Sequence, residues 1–428
     1  MKFYLAFILA IFCYLATSQS QYTSYYIGDT NNVSTPTDYR ICLMGGATED
    51  DNAMKWFLNG SGGGDIVVIR VSGTSGYNAY LYTTLGITVN SVETIVIPSI
   101  SAANHPYVRR RLREAEAVFI AGGNQFDYLS YWKNTAVDSA LNYLINIKKV
   151  PIGGTSAGMA VQGQCYYSAA VGSITSAVAM ANPYNTQVTI GSNDFLHHKF
   201  LNRVITDTHY DNPDRRGRHS SFLARLLQDS AKAFFGIACD EYTAVCIDNN
   251  GIAKVFGGFP THDDNAYFIQ SNCVLPNTPE NCLPNQSLTW NRSSQALKVY
   301  AVKGTSAGNG SFDLNNWQNA NVSGGAWENW FVVNGTFSVT PTASSISCIS
   351  TGLEDHTIKE INMYPNPVKD ILNFGHLMDE VTVMGMYGKV EESRTNCDKI
   401  NINQLIPGMY LIKLRFENSI IVKHFIKE

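Results

Sequence analysis

The stretch "PIGGTSAGMAVQG", residues 151–163, sets Ser156 between glycines in a G-x-S-x-G pattern. Ser156 follows "VPIGG" (150–154), a short apolar run, and precedes small residues able to open a helix packed closely on that run. A strand, a tight turn and a helix in this order lift a serine hydroxyl clear of a sheet, while the helix N-terminus supplies positive potential and unused N–H groups. Taken alone, the pattern fits a Gly-rich structural turn equally well. The pentapeptide GTSAG recurs at 304–308. There Ser306 follows the alternating run "ALKVYAVK" and leads into "NGSFDLNNW", a Gly/Asn turn with no helix after it, so the second copy reads as a loop.

Working outward from Ser156, the chain from Arg40 repeats one unit: an apolar strand, a turn, an amphipathic helix. "ICLMGG" (41–46), "DIVVIRV" (65–71), "VETIVIP" (92–98), "AVFIAGG" (117–123) and "VPIGG" are short β-rich runs ending in Gly or Pro. Between them lie helical patterns over 51–58, "HPYVRRRLREAE" and "AVDSALNYLINIKK". Runs apolar on both faces that alternate with helices specify an α/β fold, a mostly parallel sheet flanked by helices. Ligands of such sheets bind beyond the carboxyl ends of the strands, where these glycine turns fall.

The 428 residues are 45% hydrophobic, more than one ordinary domain needs, and two domains are expected. Formal net charge is −4, with no long Lys or Arg run, so neither a phosphate backbone nor an anionic bilayer is attracted and nucleic acid is not a partner. "MKFYLAFILAIFCYLATSQSQ" has one Lys and an apolar stretch from Phe3 to Leu15 too short to span a bilayer. It reads as a cleaved signal peptide at 1–18. Eight cysteines then remain in an oxidising compartment. Cys273 and Cys282 bracket the loop "VLPNTPEN" and are the best pair; the CxxC spacing of a zinc site is absent.

A serine hydroxyl is a poor nucleophile unless a base takes its proton, and the base needs an acid to fix its tautomer. "VITDTHYDNPDRRGRHSSFLARLL" puts His209 at the end of a β-type run, and "FFGIACDEYTAVCID" puts Asp240 and Glu241 at the end of another. Both positions fall on the active edge of this architecture. Of the nine histidines His209 is best placed; His197, His198 and His262 fit the surface better. A metal site built from those three with Asp263 lacks a convincing ligand spacing.

Together "FIAGGNQ", "PIGGTSAGMA", "DTHY…RRGR" and "DEYTA" resemble cyanophycinase and its relatives among the serine peptidases that include dipeptidase E, whose fold is similar to class I glutamine amidotransferases. The resemblance covers about 40–340. It implies Ser156 as nucleophile, His209 as general base and Glu241 as orienting acid, with Asp240 the fallback. It further implies an oxyanion hole from the N–H groups of Gly123 and Ala157, and a substrate site lined by Gln125, Asp207, Arg215 and Arg218. No metal or organic cofactor is required. The substrate would be a peptide or polypeptide, with β-aspartyl or Asp/Arg-containing peptides as candidates, and a homodimer is compatible with the resemblance. The chain departs from cyanophycinase in a longer run after the histidine and in Asn124, which stands where that family carries an acidic residue; both fall in the specificity region. The alternative is a binding protein on the same fold with a dead site.

Between 260 and about 345 lie Trp290, Trp317, Trp327 and Trp330, expected as core packing of a β-rich extension rather than an exposed aromatic platform. After a Ser/Thr/Pro-rich linker at 341–356, the segment 357–428 reads as short strands with Gly and Pro turns, a small all-β sandwich. From "YPNP" through "PGMYLIKL" to "KHFIKE" it resembles the C-terminal sorting domain of type IX secretion substrates. That implies a Bacteroidetes-type host, type IX secretion machinery as a partner, and a protein secreted or held at the cell surface.

Overall fold

The computed structural model describes residues 21–273, 276–318, 320–342, 363–385, 389–416 and 419–428. The expected signal peptide and most of the linker lie outside them. The chain divides into two compact units, Met1–Cys348 and Ile349–Glu428.

In chain order the strands of the first unit are β1 (Thr23–Gly28), β2 (Ile41–Met44), β3 (Asp65–Arg70), β4 (Ser91–Val96), β5 (Ala117–Ile120), β6 (Ile152–Thr155), β7 (Cys165–Tyr167), β8 (Ile190–Ser192) and β9 (Val204–Asp207). There follow β10 (Phe235–Cys239), β11 (Ala244–Ile247), β12 (Ile252–Phe256), β13 (Asn265–Ser271), β14 (Leu297–Lys303), β15 (Gly310–Asp313), β16 (Val322–Ser323), β17 (Gly325–Val333) and β18 (Thr336–Thr342). They form two sheets, ordered β1-β4-β3-β5-β6-β2-β11-β12-β15-β16 and β18-β17-β14-β13-β10-β9-β7-β8. Strands β4-β3-β5-β6-β2 pair in parallel, as do β7-β9-β10. The expected helix-flanked parallel sheet is therefore present as the centre of a mixed one, extended by antiparallel β1 at one edge and by antiparallel strands after residue 240 at the other.

The side-chain period of two explains the parallel centre. In β3, Val67 and Ile69 join one buried cluster with Val108, Leu112, Trp132 and Leu141 from helices Pro106–Glu114, Gln125–Trp132 and Ala136–Tyr143. Ile66 and Val68 face the other way, onto Met54, Phe57 and Leu58 of helix Asp51–Asn59. Each such buried side chain contributes about 1.5–3 kcal/mol, which is why a strand covered on both faces carries no polar residue in its middle. The helices begin at side-chain caps: Asp50 accepts from Ala53 N, Asn124 from Phe126 N and Thr135 from Val137 N. A third cluster joins the two sheets through Leu43 and Val245 of one and Ile237, Phe268 and Val302 of the other.

Trp290 and Trp330 are buried in the antiparallel half, and Trp317 stacks on Phe235, so the tryptophans pack the core as expected. The cysteine pairing is corrected. Cys273 is disulfide-bonded, but Cys282 is a free thiol. It sits in the cluster of Leu288 and Trp290, where burial pushes its pKa up to about 11. No helix among the described residues is long and apolar enough to cross a membrane.

The second unit is all β. Strands β19 (Ile371–Gly385), β20 (Val390–Asn401), β21 (Gly408–Phe416) and β22 (Ser419–Lys427) form one antiparallel sheet ordered β20-β19-β21-β22. Register shifts break the β19–β20 pairing at Asn373/Met378 and Val383/Met384. Such bulges bend a strand, and Phe374, Val381, Ile412 and Phe425 share a core with no second hydrogen-bonded sheet among the described residues.

Candidate active site

Strand β6 ends at Thr155, and the next residue, Ser156, has φ +52 and ψ −118, outside the comfortable regions for a residue with a side chain. The turn is held at both ends. Ser156 N–H donates to Met44 O (3.1 Å), and Ser156 O accepts from Met159 and Ala160 N–H as helix Ala157–Ala160 begins. Close approach decides the glycines: a Cβ on Gly158 would lie 2.0 Å from Ile120 O, and one on Gly154 would lie 2.4 Å from Gly158 O. Only bare backbone lets this helix start against the ends of β5 and β6.

His209 follows β9 and Glu241 follows β10, and these two strands are parallel neighbours (Asp207 opposite Ala238). The three side chains therefore stand beyond the carboxyl ends of β6, β9 and β10. Ser156 Oγ lies 2.8 Å from His209 Nε2, and His209 Nδ1 lies 2.6 Å from Glu241 Oε1. His209 and Glu241 remain partly open, at 25% and 19% side-chain exposure. Asp240 does not reach the imidazole: its Oδ2 accepts from Asn265 N (3.1 Å) and Nδ2 (3.0 Å), and burial pushes its pKa up to about 7.

Two residues that sequence reasoning passed over hold this arrangement. Gly45 O accepts from His209 N–H (2.8 Å) and Gly46 O from Tyr242 N–H (3.1 Å), so the end of β2 ties down both the His209 and the Glu241 loop. Gly46 has φ +113, and a Cβ there would lie 2.4 Å from His209 Cε1. The signal was visible as the glycine pair closing "ICLMGG", but nothing local says which loops those glycines receive. Asp211 adds a third tie through Glu241 N–H (2.9 Å).

The cleft beside Ser156 has a volume of about 480 Å³ and is lined by Gly123, Gln125, Tyr167, His209, Arg215 and Arg218, among others. Gln125 Nε2 donates to Tyr167 O (2.6 Å), bridging two walls. The N–H groups of Gly123 and Ala157 have no protein acceptor among the described residues. Asp207, expected in the substrate site, is buried behind it. Its carboxylate takes Arg218 as a bidentate partner (2.8 and 2.5 Å); burial pushes its pKa up, but the guanidinium outweighs this and holds it below the usual range. Arg216 pairs with Asp214 (2.7 Å). Arg215 is left with Thr208 O (2.9 Å) and a 4.0 Å approach to the committed Asp207. Burial, then the neighbouring Arg218 charge, lowers its pKa against the pull of Asp207 and Glu241, and its one ion pair among the described residues, at 4.0 Å, is with a carboxylate that Arg218 already holds more closely.

Elsewhere, His198 is buried against Tyr39 Oη (2.9 Å) rather than on the surface, and Asp263 pairs with Lys303. No group of three His, Cys, Asp or Glu side chains among the described residues is arranged to hold a metal ion.

A serine on a strained strand-to-helix turn, in contact with a histidine that contacts a carboxylate, is the site architecture of serine hydrolases. Within that class, residues 74–255 match the model of peptidase family S51, and residues 362–428 match that of a secretion system C-terminal sorting domain, which marks the chain for export. The cyanophycinases of Synechococcus elongatus and Thermosynechococcus vestitus are each 25% identical to it over 171 residues, 40% of this chain and 48% of theirs. The chain thus spans about half the length of the curated relatives it matches. Among solved structures, a peptidase from an acI-B1 actinobacterium shares 13% identity at a TM-score of 0.39, covering 53% of this chain and 90% of its own. A putative peptidase E protein from Listeria monocytogenes shares 16% at 0.33, covering 52% and 100%.

Proposed function

We propose that this chain is an exported serine peptidase that hydrolyses an amide bond through Ser156, His209 and Glu241. The observation that carries the reading is the pair of contacts at His209, 2.8 Å to Ser156 Oγ and 2.6 Å to Glu241 Oε1. His209 takes the hydroxyl proton as Ser156 Oγ bonds to the carbonyl carbon, and Glu241 holds the ring so that Nε2 is the free base. The carbonyl oxygen becomes an anion facing the unoccupied N–H groups of Gly123 and Ala157, each worth about 3–4 kcal/mol to the transition state. The imidazolium returns the proton to the leaving nitrogen as the C–N bond breaks. Water, deprotonated by the same histidine, then releases the acid.

The substrate reading rests on Arg215. A cleft with a cation lacking a close anion favours a peptide bearing a carboxylate near the scissile bond, such as an aspartyl or β-aspartyl peptide, with Gln125 and Arg218 beside it. We assign a signal peptide to 1–18, the peptidase to 40–340, a linker to 341–356 and the sorting domain to 357–428. Type IX secretion machinery recognises the last, leaving the protein secreted or at the cell surface. Incubation with α- and β-aspartyl dipeptides and with cyanophycin, products identified by mass, tests the reading. Release of free amines that Ser156→Ala abolishes is expected; an inert wild-type protein across the panel contradicts it.

A further inference from the structure

A second depression, about 550 Å³, adjoins the catalytic cleft. Phe126 lines both, and Ser168 of the second is followed directly by Ala169 and Ala170 of the first. Part of its lining is apolar: Leu129, Tyr166 and Val188 are buried and Phe126 stays 39% exposed at the junction, with Ser130, Ser168 and Thr189 among the rest. The charged groups at its rim are already matched, Lys133 with Asp194 (2.6 Å) and Arg225 with Asp229 (3.0 Å) and Pro183 O (2.9 Å). Nothing there calls for a charged ligand.

The far wall is β8, which ends its sheet and pairs only with β7. Ser168 N–H donates to Thr189 O (2.8 Å), and the register sets Tyr166 opposite Gly191 and Tyr167 opposite Ile190. Hydrogen-bonded and non-hydrogen-bonded pairs alternate along an antiparallel ladder. Thr189 and Gly191 therefore turn toward β7, and Ile190 turns its N–H and C=O to the open edge. Gly191 lies flat on the Tyr166 ring, where a Cβ would come within 2.2 Å of Cζ, which keeps that stretch of wall free of side chain.

We propose that this groove is a distal subsite for an extended polypeptide substrate: the chain leaves the cleft over Phe126, pairs its backbone with Ile190 as an added strand, and seats an apolar or aromatic side chain on Leu129, Tyr166 and Val188. Edge pairing gives affinity and the pocket gives sequence preference. The proposal rests on the hydrolytic reading above and sharpens it, since a dipeptide would leave the groove empty.

The test uses octapeptides with one central aspartate, otherwise alanine, in which a single phenylalanine is moved through the other positions. One register should raise kcat/KM by about tenfold or more over the all-alanine peptide, the scale expected for burying one large apolar side chain. N-methylation of the peptide residue facing Ile190 should erase that gain, and in Leu129→Ala the Phe-to-Ala ratio should fall toward one. In Ser156→Ala, fluorescence anisotropy of the labelled peptides should show the same register preference without turnover. Cleavage of the all-alanine peptide with no phenylalanine preference overturns the groove while leaving the hydrolytic reading intact; no cleavage of any peptide or of aspartyl-p-nitroanilide overturns both. A dimer that protects the Ile190 amide from hydrogen exchange without peptide also overturns the proposal, because a second copy would then cover the edge.

Discussion

The chain writes GTSAG twice, and the two copies adopt different structures. At 154–158 the pentapeptide joins a parallel strand to a helix, Ser156 is forced to φ +52, and Gly158 lies against Ile120 O. At 304–308 it crosses between the two sheets, from β14 of one to β15 of the other. Thr305 forms a bridge with Phe259, Gly308 N–H closes a turn on Thr305 O (3.0 Å), and Ser306 is exposed, with no histidine hydrogen-bonded to it among the described residues. Five identical residues thus carry no chemistry of their own. What separates the copies is the flanking period, apolar run then small-residue helix in one and alternating strand then Asn/Gly turn in the other, together with the distant loops that arrive at the first.

The strongest break of this comparison is the pair of serine deletions. Ser156→Ala should lower kcat/KM on an aspartyl peptide by at least about 10⁴-fold, whereas Ser306→Ala should leave it unchanged. Equal losses in the two would mean that the copies are not functionally distinct. Next in size is the acid. Glu241→Gln keeps the shape but lets Nδ1 lose its anionic partner, and a kcat drop of about 10³–10⁴-fold is expected; Asp240→Asn should change kcat by no more than about threefold, since Asp240 serves Asn265 instead. Steady-state kinetics on both variants settles which carboxylate orients the base.

The final glycine of each copy sharpens the contrast in stability. Gly158→Ala meets Ile120 O at 2.0 Å and Gly308→Ala meets the Phe256 ring at 2.6 Å with φ +62. Backbone cannot move aside as a ring can, so the first should cost about 3 kcal/mol or more and the second about 1–2 kcal/mol, read by urea unfolding. Gly308→Ala should keep full specific activity. The last effect is proton-linked. Burial raises Asp240 from 3.8 to about 7 in the folded protein, so the stability its protonated form contributes is complete below 3.8 and is lost as pH climbs to about 7. Asp240→Asn removes that loss: variant and wild type should be nearly equal near pH 4, and the variant the more stable near pH 8.

Much of the parallel half was legible because burial on both faces leaves an unbroken apolar run, as in "DIVVIR", and because helices declare themselves by period and cap. The serine, histidine and glutamate could be read as strand-end residues, since each follows a β-type run. Their meeting could not be read, because it depends on β9 and β10 lying in a different sheet from β6 and on the carbonyls of Gly45 and Gly46 receiving both loops. The same reason hid the burial of Asp207. Nothing in "DTHY" says that its first residue turns inward to meet Arg218, eleven positions along, rather than outward to the cleft. Cys273 and Cys282 show the limit of spacing as a guide to pairing, since a thiol faces whatever core its own loop meets.

The central claim is that the first GTSAG serine, and no other, is activated by its histidine. Treatment of the folded protein with a fluorophosphonate, followed by digestion and mass mapping, tests it most directly. The account predicts a single adduct on Ser156 that disappears in His209→Ala and on unfolding. An adduct on Ser306, or a native protein that takes up no label, would contradict it.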